Sequence, residues 1–296
     1  MPLGRRKFRP ISHPDSLGKV KFMLAAALFL LQVQDQITRT PSAYWFPASE
    51  GIEKWLPSLA EDYPFDTWIA DPKPNAATIG AASKSKIKLM APKQVYSKAN
   101  DSWRAATILF SLGKISPAEW IKRTTNLKET FHYLTTPKTP DLYQLTKDQP
   151  NGLKARSGCA VFAETLLCYW PGVPCFYATD LYQTRFFPED PTHESWILAM
   201  NDYIGPMMSI RADFPELRTK KPVIVRADSK PGMMIFQQTI KGRKFTFYFN
   251  NGLQSLKLPA NFNVDQAIIP RGIDLERPDG PYLYGSGTAL IVEPPL

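Results

Sequence analysis

The chain is poor in cysteine, histidine and long apolar runs, and each scarcity excludes something. Cys159, Cys168 and Cys175 are its only cysteines in 296 residues. An odd number without metal-like spacing argues against a disulfide framework or a cysteine metal site. All three are expected to be buried as small apolar residues. His13, His132 and His193 are scattered, and none has Cys, Asp or Glu at a ligand spacing. No metal and no cofactor is therefore expected. Glycines 51, 80, 113 and 152 stand alone, which excludes a Gly-rich phosphate loop, and no Ser lies in Gly-x-Ser-x-Gly. Phe22 to Leu31 is the only long apolar run. As a helix it measures about 15 Å, against roughly 30 Å of hydrocarbon. A buried or interface helix is favoured there over a membrane span, and membrane contact through Phe22–Leu31 is kept as an alternative.

Acid is scarcer than base: 36 Lys and Arg against 27 Asp and Glu leave a net charge of +9. That favours an acidic partner, whether protein, anionic lipid or RNA. Residues 1–19 concentrate the imbalance, with Arg5, Arg6, Lys7 and Arg9 and no acid before Asp15. Such a segment resembles a mitochondrial targeting sequence, or a basic arm lying on an acidic surface.

What is present reads as mixed α/β. Glu50 to Glu61 has a helical pattern, and Phe65–Asp71 reads as a buried strand ending in a carboxylate. Residues 72–86, rich in Pro, Ala, Ser and Lys, read as an exposed loop. Trp103–Lys114 reads as a strand or a short helix. Ser116–Pro117 is a helix start, a hydroxyl cap followed by Pro at the first helical position, with the helix running to about Leu134. Ser157–Tyr169 reads as a buried helix, and Pro171–Tyr177 as a turn and strand. After Pro222 the period changes to two, with a hairpin turn at Lys241–Gly242. Residues 220–296 read as a small antiparallel β-sandwich. The seven tryptophans are assigned to the core rather than to sugar stacking, and Asn100-Asp101-Ser102 is a lone glycosylation sequon.

Helix, turn, strand and terminal Asp at Glu50–Asp71 resemble the α-amylase family of glycoside hydrolases. So, in the family's order, do Pro171-Gly172-Val173-Pro174 to Tyr177, and Ser209 to Arg218 with its Arg211. The resemblance covers residues 45–296. It implies part of a β/α barrel followed by a C-terminal β domain, with Phe65–Asp71 as the fourth barrel strand, residues 86–96 as the fifth and Asp141–Pro150 as the seventh. By resemblance Asp71 stands at the nucleophile, Gln94 at the general acid and Asp148 at a third carboxylate. Ile69 replaces the family's arginine and Lys147 its histidine. An amide cannot donate and recover a proton, so Asp71, Gln94 and Asp148 are read as vestigial and the chain as not an enzyme.

Three segments are expected: a basic arm and apolar helix (1–44), a truncated barrel (45–219) and a β domain (220–296). Strands one to three have no counterpart in the sequence. A half barrel exposes edges at strands four and eight, and other protein subunits are expected to cover that side. The leading expectation is an inactive structural subunit of a larger, mitochondrial assembly, such as a ribosome or a respiratory or ATP-synthase complex. The alternatives are a carbohydrate-active enzyme of α-glucosidase or amylase type with displaced catalytic residues, and a membrane-associated subunit resembling transporter heavy chains. A basic nucleic-acid-binding protein is allowed by charge but supported by no motif.

Overall fold

The computed structural model describes residues 40–47, 53–54, 56–57, 65–71, 73–96, 101–125, 131–136, 138–140, 142–147, 152–177, 203, 206–211, 213–259, 262–263, 267 and 271–293. The basic arm, Phe22–Leu31 and Asp148 lie outside them.

Five strands form the first sheet: β1 (Thr40–Pro47), β2 (Phe65–Asp71), β3 (Lys88–Met90), β4 (Phe131–Tyr133) and β5 (Val173–Tyr177). Their order is β3-β2-β1-β5-β4, and every pairing is parallel. Pairing of the last strand with the first is how a β/α barrel closes. The break falls between β3 and β4, so the sheet is a partial barrel. Strand β1 corrects the expected opening. It lies between β2 and β5, with Ala43 opposite both Thr67 and Cys175. The two edges expected at the fourth and eighth strands are thus paired with β1. Among the described residues the edge strands of this sheet are β3 and β4.

Alternation along the strands makes two faces. Trp68 and Ala70 of β2 and Phe176 of β5 pack outward into the main core with the helices. Ile69, Cys175, Phe131 and Tyr133 point inward and form a separate cluster with Val95. All three cysteines are free and buried, as expected.

The helices depart from several expectations. Helix α1 (Ala76–Lys84) replaces the expected loop at 72–86. Its four alanines are the best helix formers, and the Asn75 side chain accepts from the Thr78 N–H at 2.8 Å. The expected strand at 86–96 is only β3, followed at once by α2 (Pro92–Tyr96). Helix α3 (Asp101–Ser111) buries Trp103, Ala106, Thr107 and Phe110, a spacing of three and four residues that only a helix puts on one face. Helix α4 (Pro117–Thr124) starts as expected, with the Ser116 hydroxyl accepting from the Glu119 N–H. It ends ten residues before Leu134, leaving room for β4. The seventh strand expected at 141–150 is instead the short helix α5 (Leu142–Leu145). Helix α6 (Gly152–Tyr169) is buried from Gly158 to its end. Among the described residues no helix is long and apolar enough to cross a membrane.

The C-terminal strands are β6 (Val223–Ala227), β7 (Met233–Ile240), β8 (Arg243–Asn250), β9 (Leu256–Lys257), β10 (Arg271–Asp274) and β11 (Tyr282–Glu293). They make one antiparallel sheet ordered β10-β11-β8-β7-β6, with β9 on β11. The hairpin between β7 and β8 turns at Lys241 and Gly242, whose φ values of 49° and 77° fit a two-residue primed turn. Residues of one parity, such as Phe236, Phe247, Phe249 and Leu290, join the main core. The other parity, including Ile235, Tyr248 and Ile291, packs with Leu258 and Phe262. Residues 39–296 form one compact unit. Buried Asn251 ties the antiparallel sheet to helix α3 and the loop after it: its side-chain amide donates to the carbonyls of Phe110 and Ile115 and accepts from the Gly232 N–H.

Candidate active site

Parallel strands bring their C-terminal ends to one side, where a β/α barrel builds its site. Pro47 closes β1 opposite Asp71, the last residue of β2. Asp71 lies two residues beyond Ile69, whose side chain belongs to the inner cluster. On the other flank β4 ends at Tyr133, which is buried. Its hydroxyl donates to Asp101 Oδ1 at 2.7 Å. Burial pushes the Tyr133 phenol far above its ordinary value, and the bond to Asp101 adds to the shift. Tyr133 is therefore a fixed donor. It orients the Asp101 carboxyl, which is itself exposed at the first turn of α3. Arg104, one helical turn further on, donates from Nε to the Leu134 carbonyl at 2.6 Å and anchors α3 to the end of β4.

Helix α2 spans the break in the barrel. Val95 packs into the inner cluster, and the Tyr96 ring meets Tyr133 edge to face at 6.3 Å. Lys138 sits over the other tyrosine of this pair, 6.0 Å from the Tyr96 centroid. The mouth thus carries a carboxylate held by a phenol, an aromatic platform and a cation, with Asp71 at the end of β2, which β1 and β5 separate from β4. Among the described residues no cluster of His, Cys, Asp and Glu can hold a metal ion.

The sequence-derived site is only partly assembled. Asp71 holds its strand-end position. Gln94 does not: it is exposed on α2, where its Oε1 accepts from the Ala91 N–H at 2.9 Å and closes the first turn of its own helix. Lys147 is exposed in the turn after α5, not at a strand end. The strand beside β5 is β4, which brings Tyr133 and Asp101, neither of them a sequence-derived candidate, to the site. Asp101 was hidden in a sequon, and Tyr133 in a helix taken too far.

His132, between the two inward residues of β4, faces the other way. Its Nε2 lies 2.7 Å from the Pro171 carbonyl, and its ring packs at 4.5 Å on Trp103. A carbonyl only accepts, so Nε2 carries the proton. Gly172 is required here: at φ 134° its missing Cβ would come within 2.4 Å of the imidazole. Arg211, fully buried, donates to the carbonyls of Cys168 and Gly172 and pins the turn into β5. Burial, with a smaller contribution from Arg211, lowers the His132 pKa from 6.5 to about 4. The unfolded chain therefore binds the extra proton first. Stability is full above pH 6.5 and falls as pH drops from 6.5 towards 4, by roughly 3 kcal/mol. An NMR titration of the His132 ring is expected to show a midpoint near 4, and a midpoint above 6 would refute the burial argument.

These features define a partial amylase-type β/α barrel joined to an antiparallel β domain. The debranching enzyme from Nostoc punctiforme shares this fold, with a TM-score of 0.50 and 13% identity over 82% of this chain and 61% of that one. An α-amylase from Anoxybacillus matches with a TM-score of 0.48 and 17% identity over 83% of this chain and 63% of that one. A cyclic α-maltosyl-(1→6)-maltose hydrolase from Arthrobacter globiformis matches with a TM-score of 0.48 and 14% identity over 83% and 61%. The chain spans less than two thirds of the length of each. No protein-family model and no curated protein matches the sequence.

The expectation that the chain is not an enzyme is corrected here. The debranching enzyme that shares its fold is an enzyme. Moreover, two of the three residue changes read as inactivating, Gln94 and Lys147, occupy a helix and a turn rather than catalytic strand ends. They say nothing about lost chemistry.

Proposed function

We propose that this chain is a carbohydrate-active enzyme of the α-glucosidase or amylase type with a displaced second carboxyl group. The observation that carries the reading is that two acidic residues belong to strand ends on one side of the parallel sheet. Asp71 closes β2, and Asp101 is held by Tyr133 at the end of β4. Glycoside hydrolysis uses two carboxyl groups flanking the scissile bond. In this reading Asp71 attacks the anomeric carbon, and Asp101 protonates the departing glycosidic oxygen. Asp101 then takes a proton from the water that releases the sugar from Asp71. Tyr133 keeps Asp101 in place. Tyr96 offers a flat ring to the sugar face, as aromatic residues commonly do for apolar ring surfaces.

The test is release of reducing ends from α-1,4- and α-1,6-linked glucans, and of aryl alcohol from aryl α-glucosides, by the full chain. Saturable turnover is expected, and Asp101→Asn is expected to lower it by roughly 10²-fold or more. Tyr133→Phe should lose less, because it frees the carboxyl without removing it. An absence of turnover on every α-glucoside would end this reading. Turnover indifferent to Asp101→Asn would remove Asp101 from it.

A further inference from the structure

We propose that the outer face of helix α1 and the turn into β3 form a docking surface for an anionic lipid bilayer. The stretch from Pro72 to Asn100 holds six lysines, Lys73, Lys84, Lys86, Lys88, Lys93 and Lys98, with no Asp, Glu or Arg. All but Lys98, which lies outside the described residues, are exposed. Lys73 precedes α1, Lys84 ends it, and Lys86 and Lys88 follow at once, so positive charge stands at both ends of the helix. Between those ends the helix carries none. Thr78 and Ala82 face the protein, while Ala76, Ala77, Ile79, Gly80 and Ser83 face solvent. Ile79 is 47% exposed, and a Cβ added at Gly80 would meet nothing within 4 Å. The inference does not depend on the catalytic reading.

Two of these lysines have ordinary structural uses. Lys88 on an edge strand guards β3 against stray pairing, and Lys84 offsets the partial negative charge at the C-terminus of α1. Neither use explains Lys86. It holds φ 57° in the turn that ends α1, where its N–H donates to the Ser83 carbonyl and the Ile87 N–H to the Ala82 carbonyl. Glycine is the usual residue there, because a Cβ is crowded in left-handed backbone. The chain keeps a charged side chain in a conformation that disfavours it. Nor does either use explain an outer helix face with an isoleucine and no charge, since such faces are normally polar. Charge and shape together select the occupant. An apolar helix face bordered by lysines lies flat on a bilayer, with the apolar side chain in the headgroup layer and the ammonium groups on lipid phosphates. Lysine is a point charge with no fixed fork, which suits a fluid array of headgroups. A nucleic-acid surface would use arginine forks and exposed aromatic rings. Helix α1 and strand β3 contain neither.

The experiment places an environment-sensitive dye on Ile79→Cys in the full chain, whose three native cysteines are buried. The labelled protein is titrated with vesicles of phosphatidylcholine, with vesicles in which phosphatidylserine is about a third of the lipid, and with poly(U) RNA. The dye is expected to brighten with the anionic vesicles at about 0.1 M salt and to dim as added salt screens the charge. Phosphatidylcholine alone should not move it. Each lysine near an anionic surface contributes about fivefold to partitioning, so Lys84→Gln, Lys86→Gly and Lys88→Gln combined should weaken binding about 100-fold. Lys220→Gln, Lys221→Gln and Lys230→Gln combined remove the same net charge elsewhere and should weaken it less than about fivefold. Lys86→Gly alone should raise the melting temperature, because glycine suits φ 57°, yet weaken binding about fivefold. Matching melting curves would show that the triple variants are folded. A dye signal unmoved by anionic vesicles overturns the proposal. So does binding that both triple variants weaken equally, or RNA that moves the dye at a lower concentration of phosphate groups than the vesicles.

Discussion

Replacing Asp71 with asparagine is expected to lower hydrolysis of α-glucosides by a factor of order 10²–10⁴, the range lost when one proton-transfer or nucleophilic group is removed. The change keeps size and shape but removes the charge that attacks the anomeric carbon. Because Asp71 ends β2 in register with Pro47 rather than lying inside the strand, the sheet pairing should persist. The measurement is kcat and KM for an aryl α-glucoside, with thermal melts run in parallel. A kcat loss with an unchanged melt assigns Asp71 to the chemistry. Full activity in Asp71→Asn would exclude it as nucleophile and move the search to other carboxylates. Asp71→Glu offers a second check. It restores the charge but shifts its position by one methylene, so partial activity is expected.

Phe162→Ala should produce the largest loss of stability, about 3–5 kcal/mol. Phe162 is fully buried on α6. Its ring packs edge to face on Phe110 of α3 at 5.0 Å and on Phe249 of β8 at 4.8 Å. One side chain therefore joins the helical layer of the partial barrel to the antiparallel sheet. Truncation opens a cavity where neither layer can collapse without disturbing the other. Urea denaturation should show a lower midpoint, and the melting temperature should drop by roughly 6–20 °C. Phe162→Leu fills most of the space and should cost much less. A loss below 1 kcal/mol for the alanine variant would mean that the two layers do not share one core.

Both predictions draw on features the sequence displayed unequally. Phe65–Asp71, Pro171–Tyr177 and the alternating strands after Pro222 were legible because burial repeats along the chain at a fixed period. Where a segment is short, period fails. The three-residue strands β3 and β4 are too brief to alternate, and their neighbours α2 and α5 are too brief to show a helical stripe. Gln94 and Asp148 were assigned by motif register through that region. A slip of a few residues was enough to move one from a strand end to a helix cap.

The sequence by itself determined the class of the fold, the free buried cysteines, the hairpin at Lys241–Gly242 and the carboxylate at the end of β2. These rest on local propensity and periodicity, which neighbouring residues settle among themselves. Tertiary structure alone decided that Thr40–Pro47 pairs with both β2 and β5, which makes β3 and β4 the edge strands among the described residues. It also decided that Tyr133 meets Asp101, thirty-two residues away in the chain. Strand partners and side-chain pairs of that kind are chosen by burial and backbone hydrogen bonding across the whole molecule, and no local pattern in either segment encodes them.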